Sequence, residues 1–376
     1  MSIFLFRAAV KMQAAPSTSG GLKKNPISVL VHFADCEIPD RDSNNNPELR
    51  QQKILEEFEE HKGTFRLHKN TEQATLEELT GLHATPYVEF VKGAVESWRK
   101  SQDTDFWKGG VVPNHMAFRH VGKQIPTELP LYKHCSFYGT DQMSPINKDT
   151  FRNACLAAKN SILSAEAVLG GERVVYALNP SPGHHATMDQ YGGYCFFNNA
   201  ALAADLLALQ GKKRVAILDL DYHHGNGQQS IFYSRSDVVT VSLHMDPKFD
   251  YPSTTGYASE IGSGEGEGYN KNIPLQPGTD DTDYIDALVE AIRFIKEKEC
   301  SYLVVAFGSD TFQGDPDKSN IAGMELTYNI YNAIGRLVAG MRLPMVITQE
   351  GGYNMLAVGE IVSDFLIGCC QQKTAT

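Results

Sequence analysis

The most informative stretch of this chain is Arg214-Val-Ala-Ile-Leu-Asp-Leu-Asp-Tyr-His-His-Gly-Asn-Gly227. It opens with a short apolar run, 215–218, of the kind that a fully buried parallel strand shows. It then becomes polar, with Asp219, Asp221 and His223 at every second position. Because alternate residues of an extended backbone point the same way, a carboxylate and an imidazole at this strand end can share one metal ion. Oxygen and nitrogen ligands of these types suit zinc.

The polar residues could instead simply cap the end of the strand. Turn chemistry explains the sequence Gly225-Asn226-Gly227 well. It does not explain four ionisable side chains among the five residues 219–223. The metal interpretation is therefore favoured.

Short runs rich in Val, Ile and Leu alternate with helical runs along most of the chain. Strands are predicted at 27–33, 174–178, 215–218, 238–243, 303–307 and 345–348, and helices at 47–61, 88–100, 149–169, 200–209, 282–298 and 326–340. This alternation predicts an α/β fold in which helices flank both faces of one open, mostly parallel sheet. No internal repeat or linker is visible, so a single domain is expected at 27–371.

Polar clusters follow four of the predicted strands. They contain His184-His185, the 219–223 cluster, Asp310 and Tyr353. In sheets of this kind, ligands bind outside the carboxyl ends of the strands. We therefore expect the four clusters to meet at one edge of the sheet.

Composition argues against several classes of protein. The 376 residues carry a formal net charge of −11, which disfavours non-specific nucleic-acid binding because that needs clustered Lys and Arg. No apolar run reaches the roughly 18–20 residues that a membrane helix needs. The seven cysteines are scattered without a C-x-x-C pair, which indicates reduced thiols in an intracellular protein.

Two segments differ from the rest of the chain. Residues 1–26 are basic and contain several Ser and Ala, so they are predicted to form either a disordered tail or an organellar transit peptide. A tail would leave the protein in the cytoplasm, and a transit peptide would direct it to mitochondria or plastids. Residues 101–145 show little periodicity and are predicted to be a long insertion loop.

Seven motifs occur in the order in which one enzyme family carries them. They are Asn179-Pro-Ser-Pro-Gly-His-His-Ala186, Tyr191-Gly-Gly-Tyr-Cys-Phe-Phe-Asn-Asn199, Asp219-Leu-Asp-Tyr-His-His-Gly-Asn-Gly227, Val241-Ser-Leu-His244, Gly264-Glu-Gly-Glu-Gly-Tyr-Asn270, Gly308-Ser-Asp-Thr-Phe-Gln-Gly-Asp-Pro316 and Glu350-Gly-Gly-Tyr353. From about Ile27 to near its C-terminus, the chain resembles the histone deacetylases and acetylpolyamine amidohydrolases, and the wording of the motifs is closer to the second branch. The resemblance implies an arginase/deacetylase-like fold. It also implies zinc-dependent hydrolysis of N-acetylated amines to acetate and free amine.

The same resemblance implies the ligands of two ions. Asp221, His223 and Asp310 would bind a catalytic Zn²⁺ and leave coordination open for water and substrate. Fe²⁺ is an alternative, because imidazole and carboxylate accept both ions. A structural K⁺ beside the zinc would be bound by oxygen atoms of Asp219, Ser242 and Leu243, together with backbone carbonyls at 221 and 223.

The resemblance assigns the two adjacent histidines to acid–base chemistry. His185 would take a proton from the attacking water and return it to the leaving amine. His184 would remain more cationic and give electrostatic support. The ring N–H of His184 would donate to Asp219, and the ring N–H of His185 would donate to Asn226.

Aromatic residues complete the implied site. Tyr353 would donate its hydroxyl to the amide oxygen as negative charge develops there, which is an oxyanion-hole function. Gly193 and Tyr194 match one wall of the narrow substrate channel. Either Tyr251 or Phe249 is expected to form the other wall.

Two substrate classes remain open, namely small acetylated amines such as acetylpolyamines and acetyl-lysine in proteins. In the polyamine branch, acids of the long loop select cationic substrates, and Glu128 and Asp141 are the candidates here. A non-catalytic acyl-amine binding protein and an arginase-like dimetal hydrolase are more remote alternatives. The resemblance also implies a homodimer, whereas the composition predicts no nucleic-acid or membrane partner.

Overall fold

The computed structural model describes residues 28–35, 47–100, 110–117, 129–318 and 323–371. Its centre is a sheet of eight strands, all paired in parallel, in the order β2-β1-β3-β8-β7-β4-β5-β6. The strands are β1 Val29–Phe33, β2 Phe65–Lys69, β3 Val174–Leu178, β4 Val215–Asp219, β5 Val238–Met245, β6 Asn270–Leu275, β7 Tyr302–Phe307 and β8 Met345–Gln349. The predicted α/β fold with an open parallel sheet is therefore confirmed.

Helices cover both faces of this sheet. The α-helices of the described residues are α1 Pro47–Glu60, α2 Leu76–Thr80, α3 Thr85–Lys100, α4 Leu131–Tyr138, α5 Thr150–Leu169, α6 Asn199–Gly211, α7 Asn226–Phe232, α8 Asp281–Glu297, α9 Ile330–Ala339 and α10 Val358–Cys370. Apolar residues of α1, α8, α9 and α10 form one core cluster. Those of α3, α5, α6 and α7 form a second.

The strand β4 contributes side chains to both core clusters. Val215 and Ile217 belong to one cluster, and Ala216 and Leu218 belong to the other. Successive side chains of a strand point to opposite faces, so a strand between two helical layers must be apolar at every position. This requirement explains why the run at 215–218 does not alternate with polar residues.

Neither edge strand, β2 or β6, was predicted from the sequence. In β2 four of the five residues are exposed and only Phe65 is partly buried, and β6 carries polar residues and Pro274 within it. Edge strands have one unpaired side and tolerate proline and polar residues, so they lack the apolar signature of central strands.

Several boundaries also differ from those predicted. The helix α3 begins at Thr85 rather than at Val88, because Pro86 is compatible with the first turn of a helix. The helix α9 begins at Ile330, four residues later than predicted. The helix α4 lies inside the segment predicted as a long loop.

Other parts of that segment, and residues 1–26, lie outside the described residues. The predictions of a tail or a transit peptide therefore stay predictions. Within the described part of the chain, no helix combines the length and the apolar character that crossing a bilayer requires.

Candidate active site

Four neighbouring strands in the middle of the sheet deliver the polar clusters to one edge. These strands are β3, β8, β7 and β4, which stand side by side in that order. Because all of them are parallel, the loops that follow them leave the sheet at the same side. Segments far apart in the chain are thereby brought together, as the rule for open α/β sheets predicts.

The possible metal site consists of Asp221, His223 and Asp310, which offer ligand atoms within 4.8 Å of one another. His223 Nδ1 lies 3.4 Å from Asp221 Oδ1 and 3.5 Å from Asp310 Oδ2. Both carboxylates are buried. The trio named from the sequence thus converges on one point.

Backbone N–H groups orient the two carboxylates. Asp221 Oδ2 accepts from the N–H of Gly351 at 2.7 Å, and Asp310 Oδ1 accepts from the N–H of Tyr222 at 3.0 Å. Glycine is required at 351 for a steric reason, because a Cβ there would lie 2.2 Å from Asp310 Oδ2 and 2.6 Å from Asp221 Oδ2. A Cβ at Gly308 would likewise lie 2.2 Å from Asp221 Oδ2 and 2.5 Å from Asp310 Oδ1. The Gly-Gly and Gly-Ser-Asp motifs therefore let the backbone approach the site closely.

The donor set fits a divalent cation. Asp310 Oδ2 is buried and has no hydrogen-bond partner among the described residues. Burying an unsatisfied acceptor costs free energy unless another group, such as a cation, binds that oxygen. Burial and the adjacent Asp221 raise the pKa of Asp310 to about 8. Two carboxylates and one imidazole around one point are the ligand types of a catalytic metal centre.

The two adjacent histidines have different surroundings. His184 Nδ1 lies 3.0 Å from Asp219 Oδ2, and His185 Nδ1 lies 2.6 Å from Asn226 Oδ1. Burial disfavours the charged form of His184, but Asp221 and Asp219 outweigh it and raise its pKa to about 10. Burial and the neighbouring imidazoles hold the pKa of His185 well below its usual value. The pair therefore combines one charged imidazole with one neutral imidazole that is able to accept a proton.

Tyr353 is a buried phenol on the wall of the same cavity. It follows Gly352, whose φ of +118° suits glycine. Burial and the nearby Asp317 and Asp310 hold the pKa of Tyr353 well above its usual value. The phenol therefore stays protonated and can act as a hydrogen-bond donor.

A cavity of about 340 Å³ lies above these groups. Gly193, Tyr194 and Tyr251 line it, whereas Phe249 is 42% exposed and is not among the lining residues. The Tyr251 ring packs edge-on against the His185 ring, with centroids 4.9 Å apart. Of the two residues proposed for the second wall, the structure thus places Tyr251 in the cavity.

Asp141, in the long loop, is hydrogen-bonded to two residues of the cavity walls. Its Oδ2 accepts from the N–H of Gly193 at 2.7 Å and from the hydroxyl of Tyr251 at 2.8 Å. Nearby, Ser144 Oγ accepts from the N–H of Tyr194 at 2.7 Å. The other acid considered from the sequence, Glu128, lies outside the described residues.

The residues expected to hold a monovalent cation lie beside the site. Asp219 and Ser242 are direct neighbours in the β4–β5 pairing, and both are buried. Leu243 follows in β5 and is also buried. Asp219 already accepts from the N–H of Asp221 at 3.0 Å and from Gln228 Nε2 at 2.7 Å.

Sequence reasoning missed several groups around the cavity. Two more acids line it, Asp250 and Asp317, together with Lys318. Asp250 accepts from the hydroxyl of Tyr222 at 2.8 Å. Burial raises the pKa of Asp317 to about 6. The acid Asp317 directly follows the Asp315-Pro316 pair that ends a recognised motif, which was the only local signal available.

Known proteins of one family are similar to this chain over most of its length. The histone deacetylase domain model matches residues 44–369. The chain is 35% identical to the acetylpolyamine amidohydrolase of Mycoplana ramosa over 293 residues, which are 78% of this chain and 83% of that protein. It is 38% identical to acetylpolyamine amidohydrolase 2 of Pseudomonas aeruginosa over 288 residues, which are 76% of this chain and 80% of that protein.

A solved structure of an acetylpolyamine aminohydrolase also has the same fold as this chain. The crystal structure of the acetylpolyamine aminohydrolase from Burkholderia pseudomallei superposes with a TM-score of 0.79 at 29% identity, and the match covers 91% of this chain and 98% of that one. The arginase/deacetylase-like architecture expected from the motifs is therefore confirmed. The chain belongs to the histone deacetylase domain family and is a hydrolase of amide bonds.

Proposed function

We propose that this protein hydrolyses small N-acetylated amines that carry a second, cationic amino group, and releases acetate and the free amine. The observation that carries the proposal is one cavity lined by Asp221 and His223 of the possible metal site, by a neutral imidazole, by a phenol and by two additional carboxylates. The first three groups suit amide hydrolysis. The additional carboxylates suit a cationic substrate.

Each residue has a distinct task in this reaction. A divalent cation held by Asp221, His223 and Asp310 supplies Lewis-acid chemistry to the amide carbonyl and to water when it is bound. His185 accepts the proton of the attacking water at its ring nitrogen and returns it to the leaving amine. Tyr353 donates its hydroxyl to the amide oxygen, where negative charge develops.

We propose Zn²⁺ as the catalytic ion, with Fe²⁺ as the alternative, because oxygen and imidazole ligands accept both. We also propose a structural K⁺ between Asp219, Ser242 and Leu243, which contribute hard oxygen donors. The homodimer implied by the resemblance stays a prediction that light scattering on the purified protein would check.

The preference for a cationic amine rests on Asp250 and Asp317. Both line the cavity that also contains the two aromatic walls, Tyr194 and Tyr251. Aromatic faces suit the alkyl part of the substrate, and a partly desolvated carboxylate favours an ammonium group. The cavity volume of about 340 Å³ lies at the lower end of the range for small-molecule sites.

A substrate panel tests this proposal against the alternative of a protein lysine deacetylase. We expect the zinc-loaded enzyme to have a higher kcat/KM for acetylputrescine or acetylspermidine than for an acetyl-lysine peptide. A clear preference for the peptide would favour the alternative. No cleavage of any acetyl amide would instead favour an acyl-amine binding protein.

Asp317→Asn should selectively weaken the use of a cationic substrate. The substitution removes one charge-assisted contact, and we expect kcat/KM for acetylputrescine to fall about 10-fold at pH 8, which corresponds to about 1.4 kcal/mol. At that pH the carboxyl is ionised, because burial raises its pKa only to about 6.

The matched substrate is N-butylacetamide, which has the same acyl group but no ammonium, and its kcat/KM should change less than about 3-fold. The matched variant is Asp237→Asn, which removes an acid that pairs with Arg235 on the surface. An equal loss on both substrates would refute the assignment of Asp317 to cation recognition.

A further inference from the structure

The segment that carries Tyr353 is anchored by a carboxylate from a different loop. Asp315 Oδ2 accepts from the N–H of Tyr353 at 2.7 Å and from the N–H of Asn354 at 3.1 Å. Its other oxygen, Oδ1, accepts from the N–H of Asp317 at 3.0 Å. Asp315 is 3% exposed and is not among the residues that line the cavity.

These contacts join the loop after β7 to the loop after β8. The same two loops are also joined by the side-chain amide of Asn354, which donates to the carbonyl of Gly314 at 2.7 Å, and by the N–H of Ser309, which donates to the carbonyl of Gly351 at 3.1 Å. Asp315 is the group that reaches the backbone of Tyr353 itself.

The Tyr353 segment has little conformational preference of its own. Two glycines precede the tyrosine, and a glycine backbone populates many conformations, so its order must come from outside contacts. A displacement of about 1 Å in a catalytic group can cost on the order of 100-fold in rate. The carboxylate that holds the backbone N–H of Tyr353 is therefore in a position to control the reaction without touching the substrate.

We propose that Asp315 is a positioning residue, which fixes the phenol of Tyr353 relative to Asp310 and also orients Asp317 in the cavity. The proposal rests on the function proposed above for Tyr353. It assigns to Asp315 an effect on turnover that passes through Tyr353, in addition to any contribution to the stability of the fold.

A double-mutant cycle separates these two effects. Asp315→Ala should lower kcat for a neutral acetyl amide about 10- to 100-fold while KM changes less than about 3-fold. In a Tyr353→Phe background the same substitution should lower kcat less than about 3-fold, because the group it positions is already gone. Zinc content should remain at one ion per chain in every variant.

Two further variants control for loss of folding. Asp315→Asn keeps an acceptor for the N–H groups of Tyr353 and Asn354, and it should recover most of the lost kcat. Asp280→Ala removes a carboxylate that accepts from the N–H groups of Thr282 and Asp283 at the start of α8, at 2.8 and 3.0 Å. It should lower the melting temperature without lowering kcat.

A readout independent of activity completes the experiment. With 3-fluorotyrosine incorporated at position 353, Asp315→Ala should shift or broaden the ¹⁹F resonance, and Asp280→Ala should leave it unchanged. An unchanged resonance, or an equal loss of kcat in both backgrounds, would overturn the role of Asp315. If the wild-type enzyme cleaved no acetyl amide, the proposed function would fail, and the ¹⁹F spectrum would still decide whether Asp315 positions Tyr353.

Discussion

Asp310→Ala is expected to lose the bound metal and the activity together. Asp310 is one of the three residues that could hold the ion, and its buried Oδ2 has no hydrogen-bond partner among the described residues. Only a carboxylate and an imidazole would remain, and a catalytic zinc centre has three protein ligands. Loss of Lewis-acid assistance worth several kcal/mol should lower kcat/KM more than about 1,000-fold.

Metal content by atomic emission and kcat/KM on acetylputrescine, both measured after equilibration with Zn²⁺, check this result. Asp205→Ala is the matched control, because it also removes a largely buried carboxylate, one that pairs with Arg235 at 2.6 Å. The control should retain one zinc per chain and full activity. A variant at position 310 that retained stoichiometric zinc would contradict the ligand assignment.

The metal-binding trio also predicts a difference in stability. Without a cation, burial and Asp221 oppose ionisation of Asp310, so the carboxylate form that binds a metal is costly in the metal-free protein. A ligand that binds only the folded state stabilises it by mass action. Zinc should consequently raise the melting temperature of the wild-type protein much more than that of Asp310→Ala.

Tyr353→Phe should keep the metal and lose most of the turnover. The phenol is protonated at neutral pH, because burial and nearby carboxylates hold its pKa well above the usual value. Removing one donor to a developing oxyanion costs about 2.7–4 kcal/mol, which corresponds to a fall in kcat of about 100- to 1,000-fold. The ring itself remains, so its edge-on packing against Tyr194 at 5.9 Å is retained.

Steady-state kinetics and zinc analysis on the same preparation distinguish this variant from Asp310→Ala. Tyr331→Phe is the control, since it deletes a buried hydroxyl that lies 3.0 Å from Thr311 Oγ1 and does not line the cavity. It should retain wild-type kcat. Loss of zinc to the same extent in the variants at 353 and 310 would mean that the two residues do not have separate roles.

The central strands and the clusters that follow them could be predicted from local patterns. A strand between two helical layers is apolar at each position, as in 215–218, and the pattern is visible without any tertiary information. The metal trio followed from the spacing of Asp221 and His223 together with a family resemblance that supplied Asp310. The edge strands β2 and β6 could not be found in this way, because one of their sides is unpaired and their composition is correspondingly polar.

Other features depended on how distant segments pack. The sequence alone did not distinguish Tyr251 from Phe249 as a wall of the cavity, and the hydrogen bond from Tyr251 to Asp141, 110 positions earlier, accompanies the tyrosine in that wall. The same contact shows why Asp141 does not present an open charge. The acids that do line the cavity, Asp250 and Asp317, have no distinctive local pattern.

By itself, then, the sequence determined an open parallel α/β sheet and the types of ligand at its edge, since both depend on the periodicity and composition of short segments. Only the tertiary structure decided which charges line the cavity and which carboxylate holds the backbone of Tyr353. The physical reason is that burial and hydrogen bonding of these groups depend on partners far away in the sequence, such as Asp315 and Tyr353, which are 38 residues apart. The strand order that joins those partners, β3-β8-β7-β4, does not follow the order of the chain.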